Sequence, residues 1–152
     1  MSIPEWTARH TQGAQRGQWR QQVLHNSALL RNVLKVLKRV VAPHRHIYFE
    51  WPTKCPGWSS PELAAFEKYI LKKHVVHHVT IHGCMYGLRS VKKGMKSWTI
   101  LTTDPTFESA CGRHCDGMHG HTRIVGEDTQ HSGFYPDAMG RAIAKHWASS
   151  SR

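Results

Sequence analysis

Acidic residues are scarce in this 152-residue chain: ten Asp and Glu stand against 21 Lys and Arg, for a formal charge of +11. A field of that sign attracts polyanions, and phosphate backbones release counterions when Lys and Arg neutralise them, so nucleic acid is the expected partner. Cysteine is sparse too. Cys55, Cys84, Cys111 and Cys115 are too few for a disulfide scaffold and read as free thiols or metal ligands in a reducing, intracellular setting, nuclear or cytoplasmic. Long hydrophobic runs are missing. The most apolar stretch, Ala28 to Ala42, is broken by Arg31, Asn32, Lys35, Lys38 and Arg39, so nothing spans the roughly 30 Å core of a bilayer and no membrane partner is expected. Met1 to Gln22 has no apolar h-region, so no secretory signal is expected. With 39% hydrophobic and 20% charged residues, the composition excludes collagen, coiled coil and wholesale disorder, and it fits one compact domain with polar tails.

The charge is uneven. The first 45 residues carry eight Arg and Lys against the single acid Glu5. Arg16, Arg20, Arg31, Lys35, Lys38 and Arg39 in this part, with Lys92 and Lys93 further on, are the residues expected to meet nucleic acid. Residues 1–22 read as a flexible basic arm, 23–148 as a single α/β domain and 149–152 as a disordered tail.

From Asn26 an apolar period appears: Leu30, Val33, Leu34, Leu37 and Val41 recur at three- and four-residue steps, which predicts a helix ended by Pro43. His46 to Trp51 is rich in β-formers and predicts a strand. Ser59-Ser60-Pro61-Glu62 is a helix start, with a hydroxyl cap, Pro in the first turn and an acid near the positive end of the dipole; Leu63, Phe66 and Ile70 supply its buried face. Val75 to His82 alternates as a strand, and Trp98 to Thr102 is a third. His77, His78 and His82 are read as residues of the second, half-exposed strand. Asp104-Pro105 opens a short helix through Ala110, and a last helix from Asp137 to Trp147 buries Met139, Ile143 and Trp147. This order implies an α/β sheet with helical cover.

Two strand ends stand out. The first finishes in Phe49-Glu50-Trp51-Pro52, the second in Gly83-Cys84-Met85-Tyr86-Gly87. In open α/β sheets ligands collect beyond the carboxyl ends of parallel strands, so parallel neighbours would bring Glu50 and Cys84 to one rim. The plainer readings are a solvated acid and ordinary turn glycines.

These two segments, with Trp58, Pro61 and Glu62, Lys96-Ser97-Trp98-Thr99, Cys115 with His119 and His121, and Tyr135-Pro136, resemble a methyltransferase-like segment in polyproteins of retrotransposons and related mobile elements. That segment is in turn similar to the distal half of the DNA cytosine methyltransferase fold. The likeness covers residues 46–147 and implies a partial Rossmann-like, methyltransferase-like sheet with an irregular Cys/His-rich segment. In DNA cytosine methyltransferases a strand-end Glu hydrogen-bonds the target cytosine, and Glu50 stands at the matching place as the candidate catalytic residue. Tyr86-Gly87 fits a Tyr-Gly after the next strand, but the family's Gln-x-Arg-x-Arg run is replaced by Arg89, Lys92, Lys93 and Lys96. No cysteine precedes Cys55 to act as the Pro-Cys nucleophile, and no Gly-rich turn follows an early strand. S-adenosylmethionine is therefore not expected to bind this chain alone, and methyl transfer would need an upstream partner chain to complete the fold.

Cys111 to His121 packs five soft or borderline ligands into eleven residues, which suits a tetrahedral zinc ion. The spacing of Cys115, His119 and His121 matches the resembled family, and Cys84 at a strand end would make a fourth, structural ligand, with Cys111 and His114 as alternates. A metal-dependent nuclease using His119 or His121 lacks neighbouring carboxylates, Asp116 apart. Trp51 and Trp58 are core or rim anchors that could stack on a base. The preferred reading is a mobile-element-derived, methyltransferase-like domain that associates with nucleic acid and is incomplete for methyl transfer on its own; the alternatives are a zinc-stabilised nucleic-acid-binding module without catalysis and a decayed reading frame with no selected function.

Overall fold

The computed structural model describes residues 14–41, 45–88, 96–121, 124 and 134–150. These gather into two compact units, one within Met1–Arg45 and Pro56–Lys73, the other within His46–Cys55 and His74–Arg152.

The first unit is helical. Helix α1 covers Ala14–Val40 and α2 covers Pro61–Ile70, the latter preceded by a 3-10 turn at Pro56–Ser59. Helix α1 starts well before Asn26 because Gln, Arg and Leu are good helix formers even where no apolar stripe announces them. It packs on α2. Leu30 and Leu34 are buried on one helix and Leu63, Phe66 and Ile70 on the other. Val33, expected in the buried stripe, is exposed. At ~100° per residue it falls instead with Leu29, Val36 and Val40, an arc beside the buried one. Helix α2 begins as its sequence requires: Ser60 Oγ accepts from the Leu63 N–H at 3.3 Å, Pro61 occupies the first turn and Glu62 is the early acid.

The second unit is built on three strands, β1 (Tyr48–Pro52), β2 (His77–His82) and β3 (Ser97–Thr102), in the order β1-β3-β2. Both pairings are antiparallel. The α/β expectation thus holds as mixed helix and strand, but a Rossmann-like sheet is not shown among the described residues. The expected shared rim is also corrected. Strands β1 and β2 run in the same direction, yet β3 lies between them, so Glu50 and Cys84 leave opposite edges of the sheet. Alternating hydrophobicity fixes which face a residue takes and leaves open which strand lies beside it.

Directly opposed residues share a face. Glu50 and Val79 both stand opposite Ile100, and Pro52 and Ile81 opposite Trp98. Val79, Ile81, Trp98 and Ile100 on this face build the core with Tyr86, Phe107, Cys111 and Met139. The last three come from α3 (Phe107–Cys111) and α4 (Asp137–Ser150), which pack on one another. In α4, Met139 is buried as expected, Ile143 is partly buried and Trp147 is 46% exposed. Gly83 ends β2 where the backbone passes close to β3: a Cβ there would meet Trp98 Cζ3 at 2.9 Å and Leu88 Cδ2 at 2.8 Å.

A buried carboxylate ties these elements together. Asp104, 2% exposed, accepts from the Thr106 N–H and hydroxyl on Oδ1 at 2.8 and 2.7 Å. Its Oδ2 takes the Tyr48 hydroxyl at 2.8 Å and lies 2.6 Å from His146 Nε2. Burial by itself pushes the Asp104 carboxyl up, but the hydrogen bonds from His146, Thr106 and Tyr48 outweigh it and hold the group well below the usual carboxylate range.

This packing has two measurable consequences. Replacing Ser60 by Ala should cost about 1 kcal/mol in urea unfolding, the worth of one N-cap. For Asp104 the folded carboxyl titrates below the unfolded one, so its contribution is complete above the unfolded value near ~3.9 and is lost as pH falls below it. Unfolding free energy followed from pH 7 downward should decline through that window in the native chain. Asp104→Asn should be less stable at pH 7 by about 3 kcal/mol, as expected for a broken buried pair, and should show a flatter decline; parallel curves for the two proteins would contradict this role.

Candidate metal centre

Residues 112–121, which follow α3, have almost no regular structure, and their course is set by the end of β2. His82, the last residue of that strand, donates its N–H to the Arg113 carbonyl at 2.8 Å, and its ring Nδ1 accepts the Cys115 N–H at 2.8 Å. An accepting Nδ1 is unprotonated, and burial, followed by the nearby His114 and His121, pushes the His82 ring in the same direction, below its ordinary value. Tyr86 donates its hydroxyl to the Cys111 carbonyl at 2.8 Å, while the Arg113 guanidinium lies 4.7 Å over the Tyr86 ring. Residues 111–115 are thereby laid against the turn Gly83–Tyr86, which carries Cys84.

This arrangement brings four donors together. The Sγ atoms of Cys84 and Cys115 and one ring nitrogen each of His119 and His121 lie within 4.8 Å of one another. Cys115 Sγ is 3.7 Å from His119 Nε2 and 3.2 Å from His121 Nε2. A four-coordinate ion with bonds of about 2.0–2.3 Å holds its ligands roughly 3.3–3.8 Å apart, so the two Cys115 spacings match such an ion, while separations reaching 4.8 Å would have to close by about 1 Å around it. Gly117 sits at φ +76°, a backbone state that glycine adopts freely, and its N–H donates to Cys115 Sγ at 3.4 Å. The turn therefore supports the thiolate as well as reversing the chain.

A carboxylate lies near one imidazole. His119 points Nε2 toward the thiol, and its Nδ1 is 3.6 Å from Asp116 Oδ1, beyond hydrogen-bond reach, while Asp116 accepts the Met118 N–H at 3.0 Å. The two thiols differ. The hydrogen bond from His121 leads in holding Cys115 below the ordinary thiol range, with the Gly117 N–H adding to it. Cys84 is pushed up, first by burial and then by the neighbouring Cys115.

The other expected participants lie elsewhere. Cys111 is fully buried in the core and His114 stacks at 5.4 Å on His82, so neither alternate joins the cluster. The four clustered donors are two thiols and two imidazoles, with Asp116 the carboxylate beside His119. Glu50 is on the opposite edge strand, where its Oε2 accepts the Tyr135 hydroxyl. Of the cations, Arg31 pairs with Glu62 at 2.9 Å and Lys38 lies 5.0 Å over the Tyr69 ring. Lys35 and Arg39 are exposed on α1. Arg16 and Arg20 lie on α1 by position, and Lys92 and Lys93 fall outside the described residues. The Asp104–His146–Tyr48 network was not anticipated; Asp104-Pro105 signals a cap, and nothing in the sequence pairs it with a histidine 42 positions on.

Cobalt separates the four cysteines. Titrating Co²⁺ into the reduced chain should produce tetrahedral visible bands and thiolate charge transfer that saturate at one ion per chain. Cys84→Ser and Cys115→Ser should each weaken or abolish the signal, whereas Cys55→Ser should leave it unchanged. A signal indifferent to Cys84 would place the metal elsewhere. Comparison with protein-family models, with curated proteins and with solved structures found no match for this chain.

Proposed function

We propose that the protein is a zinc-stabilised module that associates with nucleic acid and has no catalytic step of its own. The observation that carries the binding role is α1. Its 27 residues hold six Arg and Lys and no acid, and Lys35 and Arg39 are exposed along it. Arg31 is partly neutralised by Glu62. An acid-free helix of this length is a ready electrostatic footprint for a phosphate backbone.

Zinc is the metal that this donor set favours, because two thiolates and two imidazoles match its softness and its preference for four ligands. With all four positions filled by protein, the ion acts structurally, fixing the course of residues 115–121 against the end of β2. Binding free energy of such an ion is folding free energy, so its removal loosens this segment first.

A second reading, the methyltransferase-like segment suggested by the sequence, draws on one observation, namely that Glu50 lines a cavity. We rank it below the first because Glu50 and Cys84 leave opposite edges of the sheet. No helix among the described residues is long and apolar enough to cross a membrane.

Salt dependence separates these outcomes. Fluorescence anisotropy of labelled duplex DNA with the zinc-loaded chain should give an affinity that falls steeply between about 50 and 200 mM salt, and Lys35→Gln with Arg39→Gln should reduce the log–log slope by about 1.8 if both contact phosphate. Absence of binding, or binding insensitive to salt, would refute the nucleic-acid role. Heat on calorimetric titration with S-adenosylmethionine would move the second reading to first place.

A further inference from the structure

The face of the sheet beneath α4 is not completely filled. A cavity of about 340 Å³ remains there. Tyr48, Phe107, Tyr135 and Trp147 contribute aromatic rings to its wall, Ile100 lies across it on β3, and Glu50 is the one formally charged residue of the wall among the described residues. The rings stand at angles to one another: Tyr48 is 5.2 Å from Phe107 at 59° and 5.4 Å from Trp147 at 56°. Tyr135 and Trp147 are about half exposed and form the mouth.

Glu50 is placed inward by the register, on the same face as Val79 and Ile100. Its two oxygens differ. Oε2 takes the Tyr135 hydroxyl, whereas Oε1 is buried and has no hydrogen-bond partner among the described residues. Burial raises the carboxyl, and the Tyr135 bond and the charge of Lys96 acting through space draw it back in part. The cavity therefore has one carboxylate in a largely aromatic wall, with Oε1 itself closed off from solvent. A purely apolar occupant would leave the carboxylate charge uncompensated, a small neutral donor would gain nothing from the rings, and an anion would be repelled. A positive charge on an apolar frame satisfies both features, because aromatic faces attract cations through their quadrupoles.

We propose that this cavity is a binding site for an alkylammonium group, with the cation set against Glu50 and its methyl or methylene shell against Tyr48, Phe107, Tyr135 and Trp147. The group is carried equally by a free quaternary amine and by a methylated lysine side chain. The site shares no residue with α1 or with the Cys/His cluster, so it stands or falls independently of the nucleic-acid reading.

Heteronuclear NMR on the isotope-labelled, zinc-loaded full chain tests it at constant ionic strength. Choline chloride should cause saturable shifts at the amides of Glu50, Tyr135, Met139 and Trp147. The neutral carbon isostere 3,3-dimethylbutan-1-ol should bind at least about ten-fold more weakly, and Glu50→Gln, which keeps an acceptor for Tyr135 but removes the charge, should weaken choline by a similar factor. A short peptide bearing trimethyl-lysine that binds more tightly than choline at the same amides assigns the ligand to a protein side chain; the reverse order assigns it to a free amine. Equal shifts from choline and its isostere overturn the proposal without any variant. So does the lack of shifts up to millimolar choline, or a preference for cytidine at these amides.

Discussion

The second unit depends on what happens immediately after Ile81. One residue later, His82 uses its backbone N–H and its ring to hold Arg113 and Cys115, and two residues beyond that Cys84 turns its thiol toward Cys115. A segment with little apolar content is thereby fixed to a strand through polar contacts and four side chains that could hold a metal ion. Hydrophobic burial alone would not hold residues 115–121, of which most are exposed. The constraint is local and directional, and it explains why glycines and histidines replace apolar periodicity there.

A second polar tie acts on the other side of the same unit. Asp104 gathers a hydroxyl from β1, a hydroxyl and an N–H from its own turn and an imidazole from α4, so one carboxylate substitutes for a wider hydrophobic contact. The core of eight buried residues under the sheet is modest. Two polar ties, at Asp104 and at the Cys/His cluster, flank it. Between the sheet and α4 the apolar packing leaves the cavity into which Glu50 looks. The helical unit is simpler: an apolar seam between α1 and α2, a capped start at Ser60, and cations distributed along a helix that has no acids.

Much of this was legible in the sequence. Alternation at residues 75–82 and β-formers at 46–51 marked the strands found at 77–82 and 48–52, Ser59-Ser60-Pro61-Glu62 marked a helix start, and Leu63, Phe66 and Ile70 marked its buried face, because each rests on local periodicity or capping chemistry. The four donors were nameable from ligand type together with the spacing that the resemblance supplies, with Cys111 and His114 as alternates; why the alternates stand apart was not legible, since α3 turns Cys111 into the core and His114 lies against the His82 ring. Strand order was hidden for a related reason: β3 inserts between β1 and β2 through long-range pairing that no local pattern encodes, and this removed the crevice expected between Glu50 and Cys84. Val33 was placed on the wrong arc because Val33, Leu34 and Leu37 satisfy the same spacing and only the position of α2 separates them.

X-ray absorption at the zinc edge of the purified, zinc-loaded chain reads the proposed centre itself. The expected first shell holds two sulfur and two nitrogen scatterers at about 2.3 and 2.0–2.1 Å, with imidazole outer-shell features. A shell of oxygen and nitrogen alone, or one unchanged in Cys84→Ser, would contradict the idea that the ion joins the end of β2 to the segment that follows α3.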